Sequence, residues 1–516
     1  MQEVVESFQG DDRERYEDAL RRFRVPWWDP TMEPTSDRPV YPPSISTERM
    51  LVRTPQGEEE VRNPLFSYVF NPVTTELGAE PFSIYETSLR FPSSAEADAF
   101  SRNDLVRRSF ENNNPSFKER MYNLFMNYRD YNQFSNAAWI EDNLPGADSA
   151  ESVHNVIHGI VGSGGHMSFL DVGSFDPAFF LVHANADRWV AMWQNMWPDS
   201  WVEPRTHEGA TSSIRAGETT DVDTRKFSSS MFPPCDQIPN FDIFTLALAP
   251  FSASSRCQNW TSRWVRYTQV FGYFYADASG DTRAVVNELY GPVEAISRKV
   301  KRDYHETSAE SDEESDMETD METDMETDEE SDKSGKKDDK KGHKKSDKKS
   351  DESSVEPSGK ATSYSAAGAK TRDYFVTIKS TKFDLNGSYF VYIFLGEPSE
   401  DAEEWPLDEK LVGTHCVLAP SEQSDEMENK DLIVAGAVPL SKALNDAVKA
   451  GDLESLEEVD VAPYLHDNLY WRMAKVSYEI PKSPFPWGLP YLYRLRSKIK
   501  RLTFSFSSPI IVWSTR

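Results

Sequence analysis

Cysteine is scarce in this chain of 516 residues, which contains only Cys235, Cys257 and Cys416. So sparse and odd a set of thiols gives no disulfide framework and favours a reducing compartment. Long apolar runs are also missing, since no stretch reaches the ~20 residues that a membrane-spanning helix requires. The opening residues do not form a signal peptide. Together these absences predict a cytoplasmic protein without a transmembrane segment.

Histidine is absent from the first part of the chain. Residues 1–153 contain none, whereas His154, His158, His166 and His183 follow in one short stretch. A metal site that draws imidazole ligands from residues 1–153 is therefore excluded for this sequence. Any histidine that takes part in chemistry must therefore be His154 or a later residue.

The net charge of −30 comes largely from one segment. Residues 306–332 carry 15 carboxylates and no basic residue, so this segment accounts for half of the net charge. Residues 317–328 repeat Met-Glu-Thr-Asp three times, and residues 333–349 are rich in lysine. With almost no branched or aromatic apolar side chains, residues 303–363 are predicted to be a disordered, protease-sensitive tether. The charge says little about the substrate, and we expect no nucleic-acid partner.

Two helical patterns bring three histidines towards one point. His154 and His158 are four residues apart, so on a helix they share one face. His183 opens a second helical pattern, which ends at Pro198. The apolar positions of that pattern are Trp189, Met192, Trp193 and Met196. Two ligands from one helix and one from the other predict a three-nitrogen metal site, although imidazole suits copper, zinc, iron and nickel alike.

The surrounding string identifies this site more closely than the histidine spacing does. Its matching positions are His154-Asn155, His158, Gly164-Gly165-His166-Met167, Asp176-Pro177-Ala178-Phe179, His183, Asn185, Asp187-Arg188 and Trp193-Gln194. This string resembles the second copper-binding motif, the B-site, of tyrosinases. Val182 stands where that family has the first histidine of a His-His pair, and His183 aligns with the ligand.

The resemblance assigns roles to several residues. It implies that His154, His158 and His183 hold the B-site copper. Glu151 with Asn155 matches a pair that holds a water and accepts the phenol proton. For Glu151, a carboxylate favoured by the helix dipole is an equally good interpretation.

Other residues of the string and the remaining histidines are expected to have no part in catalysis. Asp187 and Arg188 are expected to form a buried, structural ion pair. His166 is not expected to be a ligand. The histidines without metal-like spacing are interpreted as surface or loop residues: His207, His305, His343, His415 and His466.

The first copper motif of the family, the A-site, is missing from this sequence. Tyrosinases hold two coppers, each by three histidines, and bind dioxygen between them. Residues 23–29, Phe-Arg-Val-Pro-Trp-Trp-Asp, resemble the segment that follows the A-site, so Met1 would lie just downstream of it. We expect a chain that starts late, with a protein that truly lost its A-site as the rival account. The chain as given is therefore not expected to turn over phenols.

The implied activity is that of a type-3 copper oxidase with two coppers per active site. Monophenols are ortho-hydroxylated and o-diphenols are oxidised to o-quinones that feed melanin-like pigment, with dioxygen as the oxidant. The alternative is a non-enzymatic protein that binds a single copper or zinc. A third possibility is an interaction scaffold that works through the charged tether.

The implied fold is a mainly α catalytic core joined by a disordered linker to a C-terminal all-β domain. The predicted divisions are a catalytic domain at 1–300, a linker at 301–365, a β-rich domain at 366–480 and a basic tail at 481–516. In the family the C-terminal domain shields the copper site until proteolysis removes it. The basic, aromatic tail would suit a membrane surface or an acidic partner, and a misread exon end would look the same.

Local patterns add finer expectations. Tyr16, Ala19, Leu20 and Phe23 predict an early helix. Ser116 and Glu119 form a capping box that predicts a helix start after Pro115. Strands are predicted from Tyr374 and from Tyr389, joined by a turn at Asn386-Gly387. The closing segment of the catalytic domain is expected at 262–275, where Tyr273 and Tyr275 form a Tyr-x-Tyr pair.

Overall fold

The computed structural model describes residues 2–74, 81–140, 147–206, 217–224, 262–292, 373–420, 432–476, 492–494 and 502–506. Residues 1–293 and 371–516 form one compact unit, and residues 294–370 form a second unit. The second unit lies outside the described residues. So do the predicted linker, its expected disorder, and Cys235 and Cys257. The domain boundaries predicted from the sequence remain predictions.

Helices dominate the described residues before position 293. They are α1 (Gln2–Glu6), α2 (Gly10–Arg22), α3 (Pro43–Ser46), α4 (Asn103–Asn127), α5 (Tyr131–Ser135), α6 (Ala150–Gly162), α7 (Ala178–Met196), α8 (Ser262–Val265) and α9 (Thr282–Tyr290). Short hairpins accompany them: β1 (Arg49–Thr54) with β2 (Gly57–Arg62), and β3 (Arg205–Thr206) with β4 (Thr219–Thr220). The predicted early helix corresponds to α2.

Two antiparallel sheets make up most of the C-terminal part. Its elements are β5 (Tyr374–Thr381), β6 (Tyr389–Leu395), β7 (Leu411–Val417), β8 (Ile433–Pro439), α10 (Ser441–Ala450), α11 (Glu458–Asn468), β9 (Leu469–Val476), β10 (Leu492–Arg494) and β11 (Leu502–Phe506). The strand order is β10-β9-β6-β7 in one sheet and β11-β5-β8 in the other. The helical core with a β-rich C-terminal domain is confirmed, and α10 and α11 are additions that strand alternation did not predict.

Strand β6 lies between two hydrophobic cores. Phe390, Tyr392 and Phe394 belong to the core of the helices, whereas Val391 and Ile393 belong to the core between the sheets. Because successive strand residues point to opposite faces, one strand serves both layers. The helices, the four-stranded sheet and the three-stranded sheet therefore form three packed layers within one unit.

The predicted helix start after Pro115 is wrong, because α4 runs from Asn103 and contains that proline. A proline inside a helix removes the hydrogen bond to the carbonyl four residues earlier, here Glu111. Glu111 and Pro115 are both exposed, so water can serve the free carbonyl. The expected burial of Phe117, Met121, Leu124 and Phe125 on this helix is confirmed.

The predicted Asn-Gly turn joins strands of different sheets. Asn386 and Gly387 adopt positive φ angles of 49° and 136°, which suits these two residue types. However, β5 pairs with β8 and β11, while β6 pairs with β7 and β9. The turn is therefore a crossover between layers and not a hairpin loop.

The basic tail contributes one strand to each sheet. Residues 492–494 pair with β9, and residues 502–506 pair with β5. A membrane or acidic partner for this tail remains a prediction. No helix in the described ranges is long and apolar enough to span a bilayer.

Glu119 connects the helical part of the unit to its C-terminal part, and its surroundings predict how stability depends on pH. It lies on α4 and accepts hydrogen bonds from the Ser441 hydroxyl and the Lys442 amide at the start of α10. Burial raises the pKa of this carboxyl from 4.5 to about 7. Between these values the folded protein keeps a proton that the unfolded chain has released. The contribution of Glu119 to folding is therefore most favourable at acid pH and is lost as the pH rises through 7.

Replacing Glu119 with glutamine should thus change the pH dependence of stability. We expect Glu119→Gln to be more stable than the wild type at pH 8, with a difference that shrinks as the pH falls towards 5.5. Urea unfolding at a series of pH values measures this. Exposed Glu111→Gln is the control, and parallel curves for wild type and Glu119→Gln would contradict the prediction.

Candidate metal centre

Helix α6 carries two of the three predicted ligands. Ser149 caps its start by accepting a hydrogen bond from the amide of Ser152, at 3.0 Å. At its end, Ser163 takes a left-handed conformation with φ 41°. Gly165 follows, and a Cβ atom there would collide with the carbonyl of Leu89. The Gly-Gly turn therefore allows the chain to double back beneath His158.

Helix α7 positions the third ligand. Asp176 accepts a hydrogen bond from the amide of Ala178, at 2.9 Å, and is itself held by buried Arg90. Phe179 stacks on the ring of His183, with centroids 3.9 Å apart and planes at 21°. The same phenyl ring meets His158 edge-on, at 5.7 Å. The Asp-Pro-x-Phe sequence thus starts the helix and orients the His183 ring.

The three imidazoles converge through their Nε2 atoms. The Nε2 atom of His183 lies 3.1 Å from Nε2 of His154 and 3.1 Å from Nε2 of His158. Ligand atoms of all three residues lie within 4.8 Å of one another. In the part of the chain that the structure describes, this is the group of histidine, cysteine and carboxylate side chains that can hold a metal ion. The spatial grouping that the spacing predicted is therefore present.

The hydrogen bonds behind the rings leave their lone pairs facing each other. His158 donates from Nδ1 to the carbonyl of Met167, at 3.1 Å, and His154 donates from Nδ1 to Oδ1 of Asn155, at 3.2 Å. In a neutral ring with a proton on Nδ1, Nε2 is an acceptor. A proton on Nε2 of His183 can be donated fully to only one of these acceptors, whereas a cation serves all three nitrogens. The donor set therefore fits a metal such as copper or zinc.

Burial keeps the three rings neutral. It lowers the pKa of His154 and of His183 to about 4 and places the pKa of His158 well below its usual value. Neutral imidazole is the form that binds a metal ion. His158 is fully buried and His183 is partly exposed, so the centre is open on the side of α7.

Asn155 orients a ligand in this structure. Replacing it with alanine frees Nδ1 of His154 and allows the ring to turn. We expect Asn155→Ala to weaken metal affinity by about 10–100-fold, the usual effect of losing such a partner. Chelator competition measures the affinity, with exposed Asn127→Ala as the control. Unchanged affinity in Asn155→Ala would show that this hydrogen bond does not orient the ring.

Glu151 lies on the same side of α6 as the two histidines. Its Oε2 atom accepts a hydrogen bond from the amide of Ala137, at 2.8 Å. At about 100° per residue, Glu151, His154, Asn155 and His158 fall within an arc of about 100°. Glu151 therefore fixes the segment before α6, and its proposed part in proton transfer remains a prediction.

The expected ion pair between Asp187 and Arg188 is wrong. Adjacent helical residues point in directions about 100° apart, so the two side chains diverge. Arg188 turns inward to Asp29 and Asp277, at 3.0 and 2.6 Å. Asp187 stays exposed and accepts hydrogen bonds from the hydroxyls of Tyr273 and Tyr275, at 2.7 and 2.8 Å. The Tyr-x-Tyr pair of the closing segment thus fixes the outer face of α7.

The interpretation of His415 as a surface residue is also wrong. It is 1% exposed and lies on β7, with Nδ1 3.3 Å from the hydroxyl of Ser152 on α6. Its place in the apolar run of residues 411–417 was the available signal. His466 is exposed, as expected. His207, His305 and His343 lie outside the described residues.

His166 is separate from the metal group, as predicted. Its Nδ1 atom accepts a hydrogen bond from the amide of Leu89, at 3.0 Å, among the rings of Phe70 and Phe82. The sequence interpretation included Met167 and Phe179 in the matching string but assigned neither of them a role at the site. The Met167 carbonyl gives no side-chain signal, whereas Phe179 was readable one turn before His183.

Family models match both parts of the chain. Residues 12–196 match the common central domain of tyrosinase, and residues 373–486 match the tyrosinase C-terminal domain. The tyrosinase of Neurospora crassa is 28% identical over 531 residues, covering 92% of this chain and 74% of that one. The tyrosinase of Podospora anserina is 27% identical over 476 residues, covering 86% and 76%.

Solved structures share the fold. A recombinant mushroom tyrosinase has a TM-score of 0.63 at 19% identity, covering 99% of this chain and 80% of that one. An Aspergillus oryzae pro-tyrosinase has a TM-score of 0.55 at 14% identity, covering 92% and 73%. At such identities these likenesses support the fold alone.

Proposed function

Because the chain belongs to the tyrosinase family, we propose that its three-histidine centre binds copper as one half of a site that oxidises phenols. Members of this family are oxidoreductases with a dicopper centre. The observation that carries the proposal is the convergence of three Nε2 atoms on one point. A single proton cannot bridge all three nitrogens, whereas a metal ion can. His154, His158 and His183 are the ligands.

The chain's own residues prepare the centre for a planar substrate. Copper held here would supply the activation of dioxygen for hydroxylation of monophenols and oxidation of o-diphenols. Met167 and Asn155 hold two ligand rings in place, and Phe179 holds the third. In a chain completed by a second copper site, the open side at His183 would admit the phenol. Glu151, with a water shared with Asn155, would then accept the phenol proton.

A second set of ligands is required for dioxygen chemistry of this type. Residues 1–153 contain no histidine, and the described part of the chain holds one three-histidine group. We therefore propose that these 516 residues alone bind one copper and do not turn over phenols. The second candidate function is a non-enzymatic protein that holds a single copper or zinc, which the lone group favours.

Copper stoichiometry and oxygen uptake test these proposals together. The purified chain is loaded with Cu²⁺ or Zn²⁺, and metal per chain and catechol-dependent oxygen uptake are measured. One tightly bound copper without uptake is the expected result. Two coppers with uptake would refute the inactivity, and failure to retain copper would refute the copper site.

The transcript separates the two candidate functions. An in-frame extension upstream of the codon for Met1 that encodes three more histidines favours phenol oxidation by the longer chain. A message without such an extension favours the single-metal protein.

We further propose a cytoplasmic location, supported by the few cysteines and the buried, free Cys416, and a part in melanin-like pigment formation.

Shielding of the centre by the C-terminal domain is a separate proposal that follows from the family. Among the described residues, the hydrogen-bond and ring partners of the three imidazoles lie between positions 154 and 183. These contacts come from the catalytic part of the chain, so the support for shielding is the family resemblance. Proteolysis followed by measurement of oxygen uptake would test the shielding in a copper-replete protein.

A further inference from the structure

A cleft lies between α4 and the C-terminal part of the unit. Residues within 112–119 of α4 form one wall, and residues within 409–412 and 439–452 form most of the other. We call this space the junction cleft. Its volume is about 370 Å³, within the ~300–1,000 Å³ that small-molecule sites occupy. The three converging histidines are not among the described residues that line it, so the cleft is separate from the metal centre.

Two polar side chains of α4 line the junction cleft. The sequence predicts that Ser116 and Glu119 cap a helix start, whereas the structure places both residues inside α4. Residues three apart are neighbours on one helix face, with Cβ atoms about 5–6 Å apart. A single small group in the cleft can therefore contact both side chains.

The Ser116 hydroxyl is buried without a hydrogen-bond partner in the described part of the chain. Ser116 is 4% exposed, and its Oγ atom meets neither a donor nor an acceptor there. A Cβ atom on Gly413 would lie 2.5 Å from this oxygen, so the glycine in β7 leaves room for the serine. Buried hydroxyls are nearly always hydrogen-bonded, because an unpaired one costs free energy. The Ser116 hydroxyl is therefore available to a ligand.

Glu119 brings a carboxylate that pairs with no lysine or arginine of the described ranges. It accepts hydrogen bonds from the Ser441 hydroxyl and the Lys442 amide, which are both uncharged. A carboxylate has about four lone-pair sites, so these two bonds leave capacity for more. Burial raises the pKa of Glu119 to about 7, and no neighbouring cation offsets the rise. A cation in the cleft would supply the missing charge.

The other charged groups around the junction cleft are mostly acidic. They are Asp373 ahead of β5, Glu409 and Lys410 ahead of β7, Lys442 and Asp446 on α10, and Asp452 after α10. The Lys442 ammonium group binds Asp446, at 2.6 Å, and the Lys410 ammonium group donates to the carbonyl of Glu397, at 2.6 Å. Four carboxylates, including Glu119, and two ammonium groups line the cleft. Its potential therefore favours a cation over an anion.

Much of the remaining lining is apolar. Leu411 and Pro439 contribute to it, together with Ala443 and Ala447 of α10. Tyr464 on α11 adds an aromatic ring, and burial raises the pKa of its hydroxyl, which therefore stays neutral. These surfaces suit a short hydrocarbon chain whose charged end points towards α4.

We propose that the junction cleft binds a small primary alkylammonium ion, whose charged group hydrogen-bonds to the Glu119 carboxylate and the Ser116 hydroxyl. An ammonium group has three donors and no acceptor, which suits two acceptors on one helix face. The alkyl part lies against Leu411, Pro439 and α10. An anion would meet an excess of carboxylates, and a neutral alcohol would leave Glu119 without a charge partner.

Ligand-observed NMR on the full-length chain tests this site with n-butylammonium, 1-butanol and butyrate as probes. At pH 8 we expect n-butylammonium to bind about tenfold or more tightly than either of the others, because a hydrogen bond between charged groups is the stronger one. Equal binding of the three probes, or no binding of n-butylammonium, would overturn the proposal.

The same titration at lower pH identifies the carboxylate involved. Between pH 8 and pH 6 the affinity for n-butylammonium should fall about tenfold, because Glu119, whose pKa burial raises to about 7, gains a proton. The probe itself keeps its charge, as a lysine side chain with a pKa of about 10.4 does. An affinity that does not change over this range would contradict a role for Glu119.

Single substitutions on α4 locate the site. Glu119→Gln should weaken n-butylammonium binding about tenfold at pH 8 and remove its pH dependence, and Ser116→Ala should weaken it about fivefold. Glu111→Gln is the matched control, since Glu111 is exposed on the same helix, pairs with Arg107 and does not line the cleft. Thermal unfolding shows whether each variant is folded. Wild-type affinity in both Glu119→Gln and Ser116→Ala, or an equal loss in Glu111→Gln, would overturn the site.

Discussion

His158→Ala is expected to abolish tight copper binding. His158 supplies one of three converging nitrogens and is the most buried of the three rings. Losing an outer partner of a ligand typically costs 10–100-fold in affinity, so losing the ligand itself should cost more than ~100-fold. Chelator competition with Cu²⁺ measures the affinity. Electron paramagnetic resonance should show fewer nitrogen couplings in any copper that remains.

Thermal unfolding provides a second, independent measurement of the same loss. A ligand that binds only the folded state raises stability by RT ln(1 + [L]/Kd), about 2.7 kcal/mol at a hundredfold excess over Kd. Copper should therefore raise the melting temperature of the wild type and leave that of His158→Ala nearly unchanged. The control is His466→Ala, which removes an exposed histidine outside the group. Equal copper affinity in wild type and His158→Ala would refute the three-histidine site.

The metal group could be predicted from sequence because each helix fixes its own side chains. A four-residue spacing places His154 and His158 on one face whatever surrounds the helix. The second helix was predicted from the apolar spacing that follows His183, which includes the buried Trp189 and Trp193. The contacts that hold the rings are partly backbone groups, such as the Met167 carbonyl, which no side-chain pattern reveals.

Long-range partners were not predictable in the same way. His415 meets Ser152 across 263 positions of sequence, and nothing in either neighbourhood specifies the other. Pro115 shows a different limit, since burial of the helix around it outweighs the local preference of proline for a helix start. Local rules thus predict elements, and tertiary packing decides their partners.

Arg188→Met is expected to cause the largest loss of stability. Arg188 has no exposed side-chain surface and binds Asp29, Asp277 and the Tyr290 hydroxyl, with its guanidinium over the ring of Trp27. Methionine fills similar space but leaves the Asp29 carboxylate buried without its cation. Breaking a buried pair in this way typically costs about 3–5 kcal/mol. Urea unfolding followed by tryptophan fluorescence measures it.

Two further variants separate the lost charge from the lost packing. Asp29→Asn combined with Arg188→Met removes both charges, so the double variant should recover part of the stability lost in Arg188→Met alone. Arg263→Met removes an arginine of an exposed pair with Asp223 and should remain close to the wild type. If the double variant were less stable than Arg188→Met, packing and neutral hydrogen bonds, and not the unpaired carboxylate, would account for the loss. Arg188 lies on α7, the helix that carries His183. The same variants should therefore weaken copper binding in proportion to the stability that they lose.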